Sequence, residues 1–414
     1  MRPGYKQTEV GVIPHEWDVA DLQAICAETI TYGIVQCGPN IENGVPYIRV
    51  SDMNSPNLDI GGMLRTSPTI AAQFSRSEVA EGDIVYALRG KIGEVRSIDS
   101  SVAGSNLTQG TARLSPSGRM TSTYLLWCMR SQMALRQGDL AAKGSTFREI
   151  TLEALRRIKI PVAPLPEQRA IAAALSDVDA LLAKLDQLIV KKRDLKQAAM
   201  QQLLTGQVRL PGFSEEWEMV KIGDVANVKT GPFGSSLHES DYVQNGTPII
   251  TVEHLGEFGV TRQNLPLVSE EDVKRLHSYA LDIGDIVFSR VGSVDRNALI
   301  RKAEEGWLFS GRLLRVRPDK GRVYAPFLSF QFHTEKFKNA VLSVAVGQTM
   351  ASLNTKILRD LSVDVPPLAE QTAIATVLSD MDAELAALEA RRDKTRALKQ
   401  GMMQELLTGR IRLV

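Results

Sequence analysis

The sequence predicts an α+β protein: two domains of similar α/β fold, joined by two long antiparallel helices that form a coiled coil, in a pseudo-twofold internal repeat. Three observations carry this. Residues 165–210 recur as residues 368–413, 203 positions later and without a gap, and 27 of the 46 positions are identical. Within each copy, apolar residues recur at spacings of three and four, as a helix with one buried stripe requires. Short anchors shared by the segments before each copy show that those segments are duplicated as well.

The first copy reads LPEQRAIAAALSDVDALLAKLDQLIVKKRDLKQAAMQQLLTGQVRL. Pro164 and Pro166, like Pro366 and Pro367 before the second copy, suit a strand-to-helix junction, where a missing N–H costs little. The stripe predicted to form the interface is Ile171, Leu175, Val178, Leu182 and Leu185 in one copy and Ile374, Leu378, Met381, Leu385 and Leu388 in the other. Ile189, Leu195 and Leu203 continue the first stripe, and Leu398 and Leu406 the second. Thr205-Gly206 and Thr408-Gly409 place glycine where a helix C-cap favours it. From Glu167 to Leu204 the helix would run roughly 57 Å at ~1.5 Å per residue. A helix that long needs a partner, and the other copy is the obvious one.

Charge sets the direction of pairing. The first half of each copy is acidic (Asp177, Asp179, Asp186; Asp380, Asp382, Glu384, Glu389) and the second half basic (Lys191, Lys192, Arg193, Lys196; Arg391, Arg392, Lys394, Arg396, Lys399). A parallel pair would set like charges together. An antiparallel pair brings Lys191 to Arg193 near Asp380 to Glu384, and Lys394 to Arg396 near Asp177 and Asp179. Each exposed pair is worth only a few tenths of a kcal/mol, but all of them bear on orientation.

Residues 1–164 form the first large domain. Strand patterns fall at Tyr47 to Val50, Asp83 to Leu88 and Thr111 to Leu114, a helical stretch at about Ser122 to Gln137, and a strand near Arg157 to Val162 feeds the helix of 165–210. Residues 211–367 repeat the plan before the helix of 368–414. Glu16-Trp17 matches Glu216-Trp217, Gly44-Val45-Pro46-Tyr47-Ile48 matches Gly246-Thr247-Pro248-Ile249-Ile250, and Gly82-Asp83-Ile84-Val85 matches Gly284-Asp285-Ile286-Val287. Lys143 to Thr146 matches Val346 to Thr349. The loops differ: TYGIVQCGPNIENG stands against KTGPFGSSLHESDYVQNG. A shared frame with dissimilar loops suggests two readers of two different things. Residues 2–5 also resemble 209–213, so the two ends of the chain are expected to lie close together.

Composition excludes several classes. With 414 residues, 43% hydrophobic and 23% charged, the chain is an ordinary globular one. It has no run of 18 apolar residues, so no membrane span is expected, and no apolar leader at its start. Three cysteines, Cys26, Cys37 and Cys128, fit neither a disulfide framework nor a zinc spacing, which points to the cytoplasm. Net charge is +1, and the two large segments carry 17 basic against 16 acidic and 18 against 20 residues. Any contact with nucleic acid must therefore use local positive charge or a partner's charge.

No catalytic, cofactor or metal motif emerges. Val365-Pro366-Pro367-Leu368 lacks the polar residue and the aromatic of an amino-methyltransferase motif. Gly231-Pro232-Phe233-Gly234-Ser235 reads as a turn, and Gly90-Lys91 lacks an upstream glycine at phosphate-loop spacing. His15, His238, His254, His277 and His333 have no metal-ligand spacing, and Pro318-Asp319 lacks the acid-x-Lys of a nuclease.

The LPEQ-x-x-IA helix start, the Leu-Leu-Thr-Gly helix end, the G-x-IP-x-x-W opening and the GDIV strand together resemble the specificity subunit of type I restriction-modification enzymes, over essentially the whole chain. The small departures are Pro166 against Ala369 and Arg169 against Thr372. The resemblance implies that the large segments are target-recognition domains, each reading half of a bipartite, asymmetric site in double-stranded DNA. It implies that the coiled coil sets the spacer and docks two methyltransferase subunits, and that two restriction/motor subunits complete the assembly. The chain itself is then expected to be non-catalytic and cytoplasmic, with no cofactor. A coiled-coil scaffold with protein-binding heads, or a fused methyltransferase or nuclease with unrecognised motifs, are the alternatives.

Reading base edges calls for Arg, Lys, Asn, Gln, Ser and Thr on exposed loops. The DNA-contact candidates are Thr31, Tyr32, Arg49, Asp52, Arg89, Lys91, Lys143, Ser145, Thr146 and Arg148 in the first domain. In the second they are Lys229, Ser235, Ser236, His254, Arg290, Arg296, Gln348 and Thr349. Arg89/Lys91 with Arg290, and Lys143 to Arg148 with Gln348/Thr349, occupy matching positions, and some of them will contact phosphates rather than bases.

Overall fold

The computed structural model describes residues 3–144, 148–232, 237–256, 259–345 and 352–413. Two compact units emerge, Met1–Asp186 with Arg391–Val414, and Gln187–Ala390. The first holds an antiparallel sheet of β1 (Thr31–Tyr32), β2 (Ile84–Ala87), β3 (Val95–Ser97) and β4 (Thr111–Leu114), in the order β1-β4-β2-β3. The second holds β5 (Ala226–Thr230), β6 (Ile286–Ser289), β7 (Asn297–Leu299) and β8 (Leu313–Pro318), in the order β5-β8-β6-β7. Ile84 and Ile286, Val95 and Asn297, and Thr111 and Leu313 each lie 202 residues apart, so the weak sequence anchors mark a true structural repeat.

Both faces of each sheet are covered. All four residues of β2 are buried. Ile84 and Tyr86 join one apolar cluster with Leu125 and Trp127, whereas Val85 and Ala87 join another with Ile48, Met53 and Leu107. The alternation of side chains along a strand places them so. In the second unit Ile286 and Phe288 divide from Val287 in the same way. Gly44 and Gly246 sit at equivalent edges, where a Cβ would come within 2.2 Å of the Thr66 carbonyl oxygen and 2.0 Å of the Val268 carbonyl oxygen. Only glycine fits, which explains the shared G-x-P-x-I anchor.

The strand feeding each long helix pairs antiparallel with a strand near the start of its large segment: Lys159–Val162 with Asp18–Asp21, and Ser362–Val365 with Glu218–Lys221. The helical stretch expected at 122–137 is two helices, Ser122–Arg130 and Gln132–Ala141. Ser131 breaks it. Its hydroxyl donates to the Cys128 carbonyl at 2.6 Å and accepts from the Ala134 N–H at 3.3 Å, ending one helix and capping the next.

The two copies of the repeat are α1 (Leu165–Leu203) and α2 (Leu368–Leu406), of 39 residues each. They pair antiparallel within each unit. In the first unit Lys399 meets Asp179, and Arg392 lies 3.9 Å from Asp186. In the second Lys192 lies 2.7 Å from Glu384, Arg193 meets Glu389, and Lys196 meets Asp382. Ile171, Leu175, Leu182, Leu185, Ile374, Leu378 and Leu385 are buried, and Val178, Met381 and Leu388 half-buried. Leu195 and Leu398 do not continue the stripe; they are 46% and 58% exposed. Lys196 and Lys399 take the inward place instead, their stems covered and their ammonium groups over Phe330 at 5.8 Å and Trp127 at 4.8 Å. Gly206 and Gly409 end the helices at φ 70° and 66°, as the cap requires.

The Glu-Gln of each helix start is a lock. Glu167 and Glu370 are fully buried. Arg412 grips Glu167 with two bonds, one of 2.8 Å from Nη2 to Oε2, and the Trp17 indole donates to the same oxygen at 2.9 Å. Arg209 grips Glu370 with two bonds of 2.6 Å. Gln168 accepts the Thr121 N–H and donates to the Arg119 and Ala163 carbonyls, and Gln371 does the same with Tyr324, Arg322 and Pro366. The Tyr5 hydroxyl donates to the Gly409 carbonyl at 2.9 Å, so the two end regions of the chain do adjoin.

Candidate nucleic-acid interface

The turn after β2 and the loop after the helix Gln132–Ala141 come together. Arg89 and Lys143 both form backbone bridges with Glu149, and the Ile150 N–H donates to the Leu88 carbonyl at 2.9 Å. Arg89, Lys91, Lys143 and Arg148 therefore share one exposed edge. Arg148 is tethered there through Nη1 to Asp139 at 2.7 Å. The second unit repeats the join, with a bridge between Val291 and Ser352 and a bond of 2.8 Å from the Leu353 N–H to the Arg290 carbonyl. Ser145, Thr146, Ser235, Ser236, Gln348 and Thr349 lie outside the described residues.

Other candidates have different surroundings. Thr31 and Tyr32 form β1 and are half-buried, opposite Arg113 and Ala112. Arg49 and Asp52 occupy each other, Nη2 to Oδ1 at 2.6 Å and Nε to Oδ2 at 3.1 Å, around a short turn. Arg290 is half-buried, with Nη1 3.3 Å from the Gly311 carbonyl. Arg296 is exposed, and its guanidinium donates to the Leu255 carbonyl. His254 is a correction: it is 1% exposed. Its Nδ1 accepts the Thr251 N–H at 3.1 Å and its Nε2 donates to the Gln263 carbonyl at 3.2 Å, so it holds a turn rather than facing a groove.

Lys229 lies on β5, half-buried, with Nζ 2.9 Å from the Ser278 carbonyl and 4.1 Å from the centre of the Tyr279 ring. Burial, then Arg315 and Arg317, push its ammonium pKa down. Directly across the strand pair stands Arg315, only 6% exposed, which the sequence reading missed. The signal was available: Leu-Leu-Arg-Val-Arg (313–317) puts two cations on one face of an otherwise apolar strand. Arg317 is neutralised by Asp285 at 2.7 Å and Asp282 at 2.8 Å.

The two units share one plan, a four-stranded sheet with a turn and a loop joined at its edge, and in the first unit that edge is cationic. The chain matches the family described as type I restriction modification DNA specificity domain over residues 17–191 and again over 214–396, and it belongs to that family. It is 26% identical, over 99% of its length and 97% of the relative's, to a putative type I restriction enzyme MjaX specificity subunit of Methanocaldococcus jannaschii. It is 20% identical, over 96% and 89%, to the type I restriction enzyme EcoKI specificity subunit of Escherichia coli. Its fold is that of a solved type I restriction-modification S subunit from M. genitalium, with a TM-score of 0.61, 17% identity, and 98% and 99% of the two chains covered.

Proposed function

We propose that this chain is the DNA specificity subunit of a type I restriction-modification complex, with each sheet-based unit reading one half of an asymmetric bipartite target. The observation that carries this is the pair of four-stranded sheets in identical strand order, carrying unlike loops at 31–43 and 229–245. A duplicated frame keeps two readers alike in posture, and unlike loops let them read different bases. Methyl transfer and cleavage are delegated to two methyltransferase and two motor-nuclease subunits, and the chain works in the cytoplasm. The α1–α2 pair offers the methyltransferases an exposed leucine in each copy, Leu195 and Leu398, and its length sets the spacer.

Replacing loop 229–245 by its counterpart tests the reading. Methylome sequencing of a host carrying the intact system should show one half of the methylated motif changed and the other unchanged. A change in both halves, or in neither while methylation persists, refutes independent readers.

A further inference from the structure

Among the described residues, Arg315 is a buried cation that no carboxylate bonds directly. In the first unit the equivalent residue, Arg113, faces Thr31 and Val85 and is neutralised by Asp83 through a bond of 2.6 Å. In the second unit Arg315 faces Lys229 and Val287, and the equivalent acid, Asp285, has been taken by Arg317 two residues further along β8. Arg315 is left 94% buried, with its Nε unpartnered. The position opposite it carries a second cation, where the first unit has a threonine. Burial first, then the charge of Arg317, push the Arg315 pKa down, and Asp285 and Asp282 offset this only in part.

A buried guanidinium without a counter-ion is costly, and proteins pair or ligate such groups. The acids nearest it, Asp285 and Asp282, are both engaged by Arg317, so an anion that binds the Arg315 guanidinium directly would come from outside the chain. A guanidinium offers a planar fork and a neighbouring ammonium a point charge, a combination suited to the oxygens of a phosphate. We propose that Arg315 and Lys229 form a seat for one backbone phosphate of duplex DNA, a seat for which the first unit has no equivalent. This rests on the specificity-subunit reading, and goes beyond it by assigning these two residues to affinity and register, not to base choice. Lys229 is the first residue of the 229–245 segment and lies near the end of β5, so a phosphate held here would fix the strand from which the rest of that segment departs.

The test uses the chain assembled with its methyltransferase subunits and a duplex bearing the motif methylated in the host. Affinity is measured between 50 and 200 mM salt for wild type, Lys229→Gln and Arg315→Met. Each variant should bind more weakly, with the slope of log affinity against log salt reduced by about 0.9, the value of one lost phosphate contact. The methylated motif should stay the same. Free Arg315→Met should melt no lower than wild type, because it removes an unpaired buried charge; a merely structural arginine would give the opposite. Inorganic phosphate should raise the melting temperature of wild type but not of Arg315→Met.

Wild-type slopes in both variants overturn the proposal, as does an altered motif, which would make these residues base readers. Protection by phosphate with an unchanged DNA slope would mean a site for a free anion and also overturns it. If Arg315→Met fails to fold, the guanidinium is structural and the slope of Lys229→Gln alone decides. If the wild-type complex shows no sequence-selective binding at all, the specificity reading itself has failed and this seat falls with it.

Discussion

Removing Arg412 should be among the most destabilising single changes in the chain. Its target, Glu167, has no exposed surface, and among the described residues only the Trp17 indole besides Arg412 bonds its carboxylate. Arg412→Met leaves a buried carboxylate with one hydrogen bond where there were three. Breaking a buried pair from one side costs roughly 3–5 kcal/mol, and because the arginine side chain is 28% exposed the lower end applies. Glu167→Gln with Arg412→Met together should recover most of the loss, since no ionised group is then stranded. Denaturant unfolding of the two single variants and the double variant closes the cycle. The second unit supplies an internal control. Trp17→Phe should cost about 2 kcal/mol by removing a bond to a charged acceptor. Trp217→Phe should cost far less, because the Trp217 indole N–H is buried with no hydrogen-bond partner among the described residues. If Arg412→Met costs under 1 kcal/mol, or if the two tryptophans respond alike, the reasoning from burial and pairing is wrong.

His333 should make the second unit acid-sensitive. Burial first, then Lys338 and Lys196, lower its pKa to about 4 from an ordinary 6.5, and Asp295 opposes this only weakly. Between those values the unfolded chain binds a proton that the folded one refuses, so stability is full above about pH 6.5 and falls by up to roughly 3 kcal/mol towards pH 4. His333→Gln should flatten that part of the pH–stability curve, and an unchanged curve would refute the assignment. Lengthening α1 and α2 together by a unit that keeps the stripe in phase, near Leu185 and Leu388, should lengthen the unmethylated spacer by one or more base pairs. Both half-site sequences should stay fixed, as read in the host methylome; an unchanged spacer in an active variant would mean that linkers, not the helices, set the distance.

The repeat, the long helices and their direction were legible because each rests on a pattern summed over many residues. Single-residue features were not. The Glu-Gln of LPEQ and LAEQ marked a helix start, but nothing nearby reveals that Glu167 is held by Arg412, 245 residues later. His254 and Arg315 failed in opposite ways. The histidine is polar and lies beside a turn, so it read as exposed, yet Thr251 in that turn holds one nitrogen and the Gln263 carbonyl the other. The arginine sits in an apolar strand and was not among the candidates. Leu195 and Leu398 looked like stripe residues because apolar identity was counted without regard to Lys196 and Lys399, whose stems reach the same seam and whose charges find Asp382 and Asp179.

The clamps also explain why the two helix copies stayed alike while the loops diverged. Arg209 follows α1 and binds the first turn of α2; Arg412 follows α2 and binds the first turn of α1. Each copy therefore presents the same two surfaces, a buried glutamate and a terminal arginine, and each is the other's only template. A substitution in the seam of one copy must be tolerated by the facing residue of the other, and the facing residue is set by the antiparallel register. Lys196 with Asp382 and Lys399 with Asp179 are the same contact made twice; the first pair is covered, so a change of charge there strands an acid or a base, whereas Asp179 is more open and also has Arg130 at 3.8 Å. Segments 31–43 and 229–245 lie outside the α1–α2 seam and can change more freely, apart from fixed points such as Gly33 and Gly231, where a Cβ would come within 1.9 Å and 2.2 Å of the Leu107 and Ser310 carbonyl oxygens.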